Sequence, residues 1–90
     1  MIGVWLKFAS EPGLIPTSAD VLREAVMQAC AELAVQAEHI SLCQHSGGTH
    51  VALFLDVETW ESALVSATGI GSLVAVRVEP LVFEGLSPIL

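Results

Sequence analysis

Residues 2–9 alternate without a break, with Ile2, Val4, Leu6 and Phe8 on one side and Gly3, Trp5, Lys7 and Ala9 on the other. Successive side chains of an extended chain project to opposite faces, so such a run is a strand with one buried face. A lone strand buries nothing and is not stable in water. The remaining residues must therefore supply both neighbouring strands and a covering layer.

Ser10-Glu11-Pro12-Gly13 has turn chemistry, and Pro16 bars a helix from running back through it. Thr17-Ser18-Ala19-Asp20 then offers a hydroxyl cap and an acidic first turn. Leu22, Val26, Ala29, Cys30 and Leu33 follow at helical spacing, with Arg23, Glu24, Gln28, Glu32 and Gln36 on the remaining arc. The spacing predicts a helix over about 19–36. Period two returns in residues 39–45, Ser46-Gly47-Gly48 signals a tight turn, and residues 51–56 form a more continuously apolar strand suited to the centre of a sheet. Its register is open, since Val51, Leu53 and Leu55 suit either face.

Asp56 or Thr59 can start a second, shorter helix that turns Trp60, Ala63, Leu64 and Ala67 inward and ends at Gly69 and Gly71. In residues 72–79, Val74, Val76 and Val78 alternate against Ala75, Arg77 and Glu79, which predicts a fourth strand broken by Pro80. The order β-α-β-β-α-β in 90 residues predicts an α+β fold. Its natural form is a ferredoxin-like sandwich, with an antiparallel sheet in the order 4-1-3-2 and both helices on one face. Residues 1–90 make a single domain, and residues 80–90 are an apolar C-terminal tail.

Composition narrows the partners. With 53% apolar and 14% charged residues the chain is not disordered. Lys7, Glu11, Arg23, Glu38 and Asp56 keep every apolar stretch short of the roughly 18 residues that span a membrane. Three basic residues against ten acidic ones, a net charge of −7, leave no phosphate-neutralising patch, so no nucleic acid is expected. The N-terminus shows neither a basic region nor a small-residue cleavage site. The expectation is a cytoplasmic protein with Cys30 and Cys43 as free thiols.

With helices on one face, the other carries Trp5, Lys7, Ser41, Cys43, His45, His50, Ala52, Phe54, Asp56, Ala75, Arg77 and Glu79. One reading is a solvated face with cross-strand ion pairs such as Lys7 with Asp56 or Arg77 with Glu79. Another is a cleft in which an apolar ligand meets a few polar groups, and a third is a surface for a protein partner. Lys7 and Arg77 are two of only three cations, and both fall in strand-like runs. The ligand or interface face is therefore assigned to Trp5, Lys7, His50, Phe54 and Arg77, the indole giving an apolar wall and the cations meeting an anion.

Leu81, Val82, Phe83, Leu86, Ile89 and Leu90 crowd large apolar side chains into the tail. They predict a homodimer or higher oligomer in which the tail docks on a partner subunit. Cys43-x-His45 followed by His50 is the closest approach to a metal motif, yet it lacks a fourth ligand. His39, His45 and His50 are the acid–base candidates, and three histidines is an ordinary count. No metal, no cofactor and no catalytic residue is assigned.

Pro12-Gly13-Leu14-Ile15 after the first strand, and the stretch Gly69-Ile70-Gly71-Ser72-Leu73-Val74-Ala75-Val76-Arg77-Val78, resemble the two recurrent stretches of ACT domains. The resemblance implies a ferredoxin-like regulatory module that dimerises edge to edge and binds amino acids or related small ligands. The topology is also similar to the dimeric α+β barrels, whose members include metal-free mono-oxygenases, cyclases and isomerases of apolar substrates. It is similar again to small chaperones that bind the twin-arginine signal peptide of a partner enzyme. The resulting expectation is a homo-oligomeric ligand-binding or regulatory accessory protein that is not itself an enzyme. It would bind a small apolar or anionic ligand or serve a partner enzyme. The alternative is a barrel enzyme with its pocket lined by Trp5, Lys7, His50 and Arg77.

Overall fold

The computed structural model describes residues 1–10, 18–45, 47–79 and 81–89, with His45 described by its backbone alone. Along the chain come β1 (Ile2–Ser10), α1 (Ala19–Glu32), β2 (Ala37–His45), β3 (Gly48–Leu55), α2 (Trp60–Arg77) and β4 (Leu81–Pro88). The four strands form one antiparallel sheet in the order β2-β3-β1-β4. Counted from its opposite edge, the same sheet reads β4-β1-β3-β2. No helix among the described residues is long and apolar enough to cross a membrane.

The even-numbered residues of β1 face the core, and pairing settles β3: Leu55 stands opposite Ile2, Leu53 opposite Val4 and Val51 opposite Leu6. Both helices pack on that face. Leu22, Val26 and Ala29 of α1 and Ala63, Ala67, Ile70 and Val74 of α2 join Val4, Leu6, Phe8, Val51, Leu53 and Leu55 in one buried cluster. Each large aliphatic side chain buried here contributes about 1.5–3 kcal/mol by leaving water.

Caps set three of the four helix ends. The Ser18 hydroxyl accepts from the Val21 N–H at 3.4 Å, and the Thr59 hydroxyl accepts from the Ser62 N–H at 3.2 Å. At its other end α1 stops at Leu33, short of the expected residue 36. Ala34 adopts φ 54°, and the Val35 N–H donates to the Cys30 carbonyl at 2.9 Å while Ala34 N–H donates to Ala31 at 3.2 Å. That is a Schellman closure with alanine in the left-handed place where glycine is usual, which is why no sequence signal marked it.

The fourth strand is not residues 72–79. These continue α2, which runs through both glycines to Arg77 with Val78 as its C-cap, and the tail forms β4 instead. Ala63, Ala67, Ile70, Gly71 and Val74 make a helical stripe that coexists with the Val74-Val76-Val78 alternation, and the stripe wins; Val76 is 79% exposed. Trp60 and Leu64, expected to face inward, stay exposed. Of the two stretches resembling ACT domains, residues 69–77 are therefore helical with Val78 as the cap, and residues 12–15 lie outside the described residues, as do Ser46, Pro80 and Leu90.

Gly71 sits mid-helix because the ring of Phe83 on β4 packs there: a Cβ on Gly71 would meet ring atoms at 2.5–2.7 Å. A helix-interior glycine costs about 1 kcal/mol relative to alanine, so Gly71→Ala would stabilise a free helix. Here the clash is expected to outweigh that gain, and Gly71→Ala should lower the melting temperature. With Phe83→Ala already in place, the same change should be neutral or stabilising. A thermal double-mutant cycle measures the reversal, and simple additivity would refute the contact.

The β2 edge is partly closed. His39 is an extra residue in the ladder, between Glu38 opposite Phe54 and Ser41 opposite Ala52, and it takes φ 54°. Beside this bulge the Arg23 guanidinium donates to the Ile40 carbonyl at 2.7 Å. A bulge and a charged cap both discourage another strand from adding at this edge.

Candidate functional site

The face of the sheet turned away from the helices carries the odd-numbered residues of β1. Cross-strand pairing arranges it in three rows. The first runs Gly85, Lys7, His50, Cys43; the second runs Ser87, Trp5, Ala52, Ser41. The third runs Ile89, Gly3, Phe54, Glu38, with the Ile89 N–H donating to the Gly3 carbonyl at 2.9 Å. Direct cross-strand neighbours have Cβ atoms about 4.5–5.5 Å apart, so the side chains within a row are adjacent except where Gly85 and Gly3 leave gaps. Among the described residues no element covers this face.

Two ring pairs stand on it. Trp5 and His50 lie tilted at 60° with centroids 6.4 Å apart, and Phe54 and His39 are perpendicular, at 89° with centroids 5.9 Å apart. Both geometries suit the ring quadrupole. Phe54 leans across Gly3, where a Cβ would come within 2.9 Å of the ring. Ser41 and Ala52 share the middle row with Trp5, and Ala52 is buried with His50 and Phe54 on either side of it along β3. Trp5, His50 and Phe54 are half-buried on a sheet face that has lost no area to a second layer.

Charge is distributed unevenly. Within the three rows only Lys7 and Glu38 carry a formal charge, and they occupy opposite corners. Glu38 stands 4.0 Å from the His39 ring nitrogen. Asp20, Glu24, Glu32 and Glu61 belong to the helices. The net −7 is thus carried mainly away from this face.

Four of the five residues expected on the face are there together: Trp5, Lys7, His50 and Phe54. Arg77 is not. It lies in the last turn of α2 and pairs with Glu32 of α1, because residues 72–77 are helical. Ala75 and Glu79 leave the face for the same reason. The expected Lys7–Asp56 pair is also absent, since Lys7 stands opposite His50 while Asp56 follows Leu55, at the Ile2 end of β1.

The tail is corrected likewise. As β4 it pairs with β1 of its own chain. Leu81 is buried, and Phe83 and Leu86 pack against the same core, with Phe83 5.5 Å from the Phe8 ring. It is thus a strand of the chain's own sheet rather than a free arm. Ile89 joins the open face, Val82 is exposed, and Leu90 lies outside the described residues.

Cys43 and His50 are direct cross-strand partners, with Cys43 exposed. Among the described residues no three His, Cys, Asp or Glu side chains gather as a metal site requires. Cys30 is buried, and burial pushes its thiol pKa up, against a smaller opposing backbone hydrogen bond. Among the open hollows that flank α1 are one of about 500 Å³ beside Asp20 and Met27 and one of about 420 Å³ beside Met27 and Ile40. Neither contains a residue of the three rows.

Sequence reasoning put Gly3 on the Trp5 side of the strand but not in the site, and missed Glu38, Ile89 and the placing of His39. Gly3 was visible as the small member of the odd-numbered set. Ile89 depends on β4, and His39 on a bulge that no residue pattern announces. No family model, curated protein or solved structure matches the chain.

Proposed function

We propose that this is a ferredoxin-like accessory protein that binds a small apolar anion on the open sheet face, with a second copy of the chain closing over it. The observation that supports this reading is the face itself: two aromatic pairs and a single lysine on an uncovered, charge-poor surface of an otherwise acidic protein. Interface cores share that composition, being depleted in charge and enriched in aromatic residues. A flat sheet contacts one side of a bound molecule, whereas binding sites enclose about 70–90% of a ligand. A second copy laid face to face supplies the other side, and facing copies do not oppose their main negative charge.

Light scattering of the purified chain is expected to show a dimer at micromolar concentration. Trp5→Ser should weaken the dimer by about tenfold or more, as loss of a buried aromatic anchor does, while leaving the melting temperature of the protomer nearly unchanged. A stable monomer, or a dimer indifferent to Trp5→Ser and Phe54→Ser, would remove the second copy from this face.

A further inference from the structure

Resting on the reading that a second copy closes over this face, we propose that the two copies share one zinc ion, held by Cys43 and His50 of each. The site is closed and structural: the metal ties the copies together and keeps no open position for chemistry.

Half of the ligand set lies on each copy. Cys43 of β2 and His50 of β3 are direct cross-strand partners, so both side chains project from the open face. Cys43 is exposed on the edge strand, and His50 is half-buried beside the Trp5 ring. Direct partners have Cβ atoms about 4.5–5.5 Å apart. A thiolate and an imidazole at that spacing can converge on one ion, which takes sulfur at about 2.3 Å and nitrogen at about 2.0–2.1 Å. Two ligands do not hold zinc. Among the described residues of one copy, no third His, Cys, Asp or Glu joins them.

The second copy supplies what is missing. A two-fold axis normal to the sheet at this pair sets Cys43 and His50 against the same two residues of the other copy. Sheets packed face to face stand about 10 Å apart, so an ion midway lies about 5 Å above each backbone, within reach of both side chains. Two sulfurs and two nitrogens then surround it, and a tetrahedral set of that kind selects zinc. Charge favours the same arrangement. Two thiolates cancel the double charge of the ion, so the closed interface buries no net charge there. Lys7 flanks His50 in the same row, and Glu38, the one carboxylate of the three rows, lies two rows away and does not compete.

The test titrates zinc and cobalt(II) into the full chain, reduced and stripped with a chelator, while light scattering follows its mass. One zinc ion per two chains is expected. The dimer should tighten about tenfold or more, because the metal binds the dimer and not the monomer. Cobalt should give the intense ligand-field bands of a tetrahedral site together with thiolate charge-transfer bands. Cys43→Ser and His50→Ala should each abolish stoichiometric binding and the tightening. His45→Ala, one row farther along and opposite Gly48, should retain both. Cys43 is exposed, so Cys43→Ser should keep the melting temperature of the metal-free chain. One zinc ion per chain, loss of binding in His45→Ala, or binding that survives Cys43→Ser overturns the shared site. No stoichiometric zinc, with a metal-free dimer that still depends on Trp5, overturns the site and leaves the reading of the face standing. A chain that stays monomeric with zinc and without it removes both.

Discussion

Deleting residues 81–90 is expected to unfold the chain rather than to release a monomer. The deletion removes β4, strips β1 of one of its two neighbours, and takes Leu81, Phe83 and Leu86 out of the core. Each of those side chains contributes about 1.5–3 kcal/mol by burial, against a total stability of about 5–15 kcal/mol for a domain of this kind. Loss of the strand also leaves Val4, Leu6 and Phe8 open along one side. Far-UV circular dichroism with a thermal ramp should therefore show no cooperative transition. A truncated chain that stays soluble, melts cooperatively and merely changes its assembly state would mean that the tail is an arm after all.

Gly48→Ala is expected to cost about 3 kcal/mol, the upper part of the usual range for overpacking. Gly48 begins β3 opposite Ala9, where β1 and β3 run closest to the tight turn. A Cβ there would stand 2.2 Å from the Phe8 carbonyl oxygen. The obstacle is backbone, so no rotamer change relieves it, and the central strand pair must part. A domain of this size loses about 4–8 °C per kcal/mol, which puts the fall at about 12–24 °C. An unchanged melting temperature would show that the strands already stand farther apart at this end. In contrast to Gly71, where removing the Phe83 ring should rescue the variant, no side-chain deletion should rescue Gly48→Ala.

The two corrections of fold and site share one cause. Val74 and Val78 satisfy both a period of two and a period of nearly four, so residues 72–79 can bury an apolar edge as strand or as helix. Local pattern does not separate the two, and glycines at 69 and 71 favoured the strand. Packing separates them. As helix these residues bury Val74 and Val78, Gly71 admits the Phe83 ring, and Gly69 lies against Leu33. That leaves the β1 edge for residues 81–88, which then hide Leu81, Phe83 and Leu86 as well. With residues 72–79 in the sheet, the tail would have stayed exposed. Arg77 went with the helix and left the site.

The unbroken alternation of residues 2–9 determined by itself both faces of β1, and with them Trp5 and Lys7 on the open side. The capping residues around Ser18 and Thr59 located the start of each helix to within a few residues, because a side-chain oxygen there can satisfy a free backbone donor. That Thr59 rather than Asp56 caps α2 came from the structure. These signals act within a few residues, so they can be read locally. Which segment became β4, where α1 stopped, and the joining of His39 and Ile89 to the face were decided only by tertiary structure. Each depends on groups far apart in the chain competing to bury the same surface, and that competition is settled by the total area hidden rather than by any local preference.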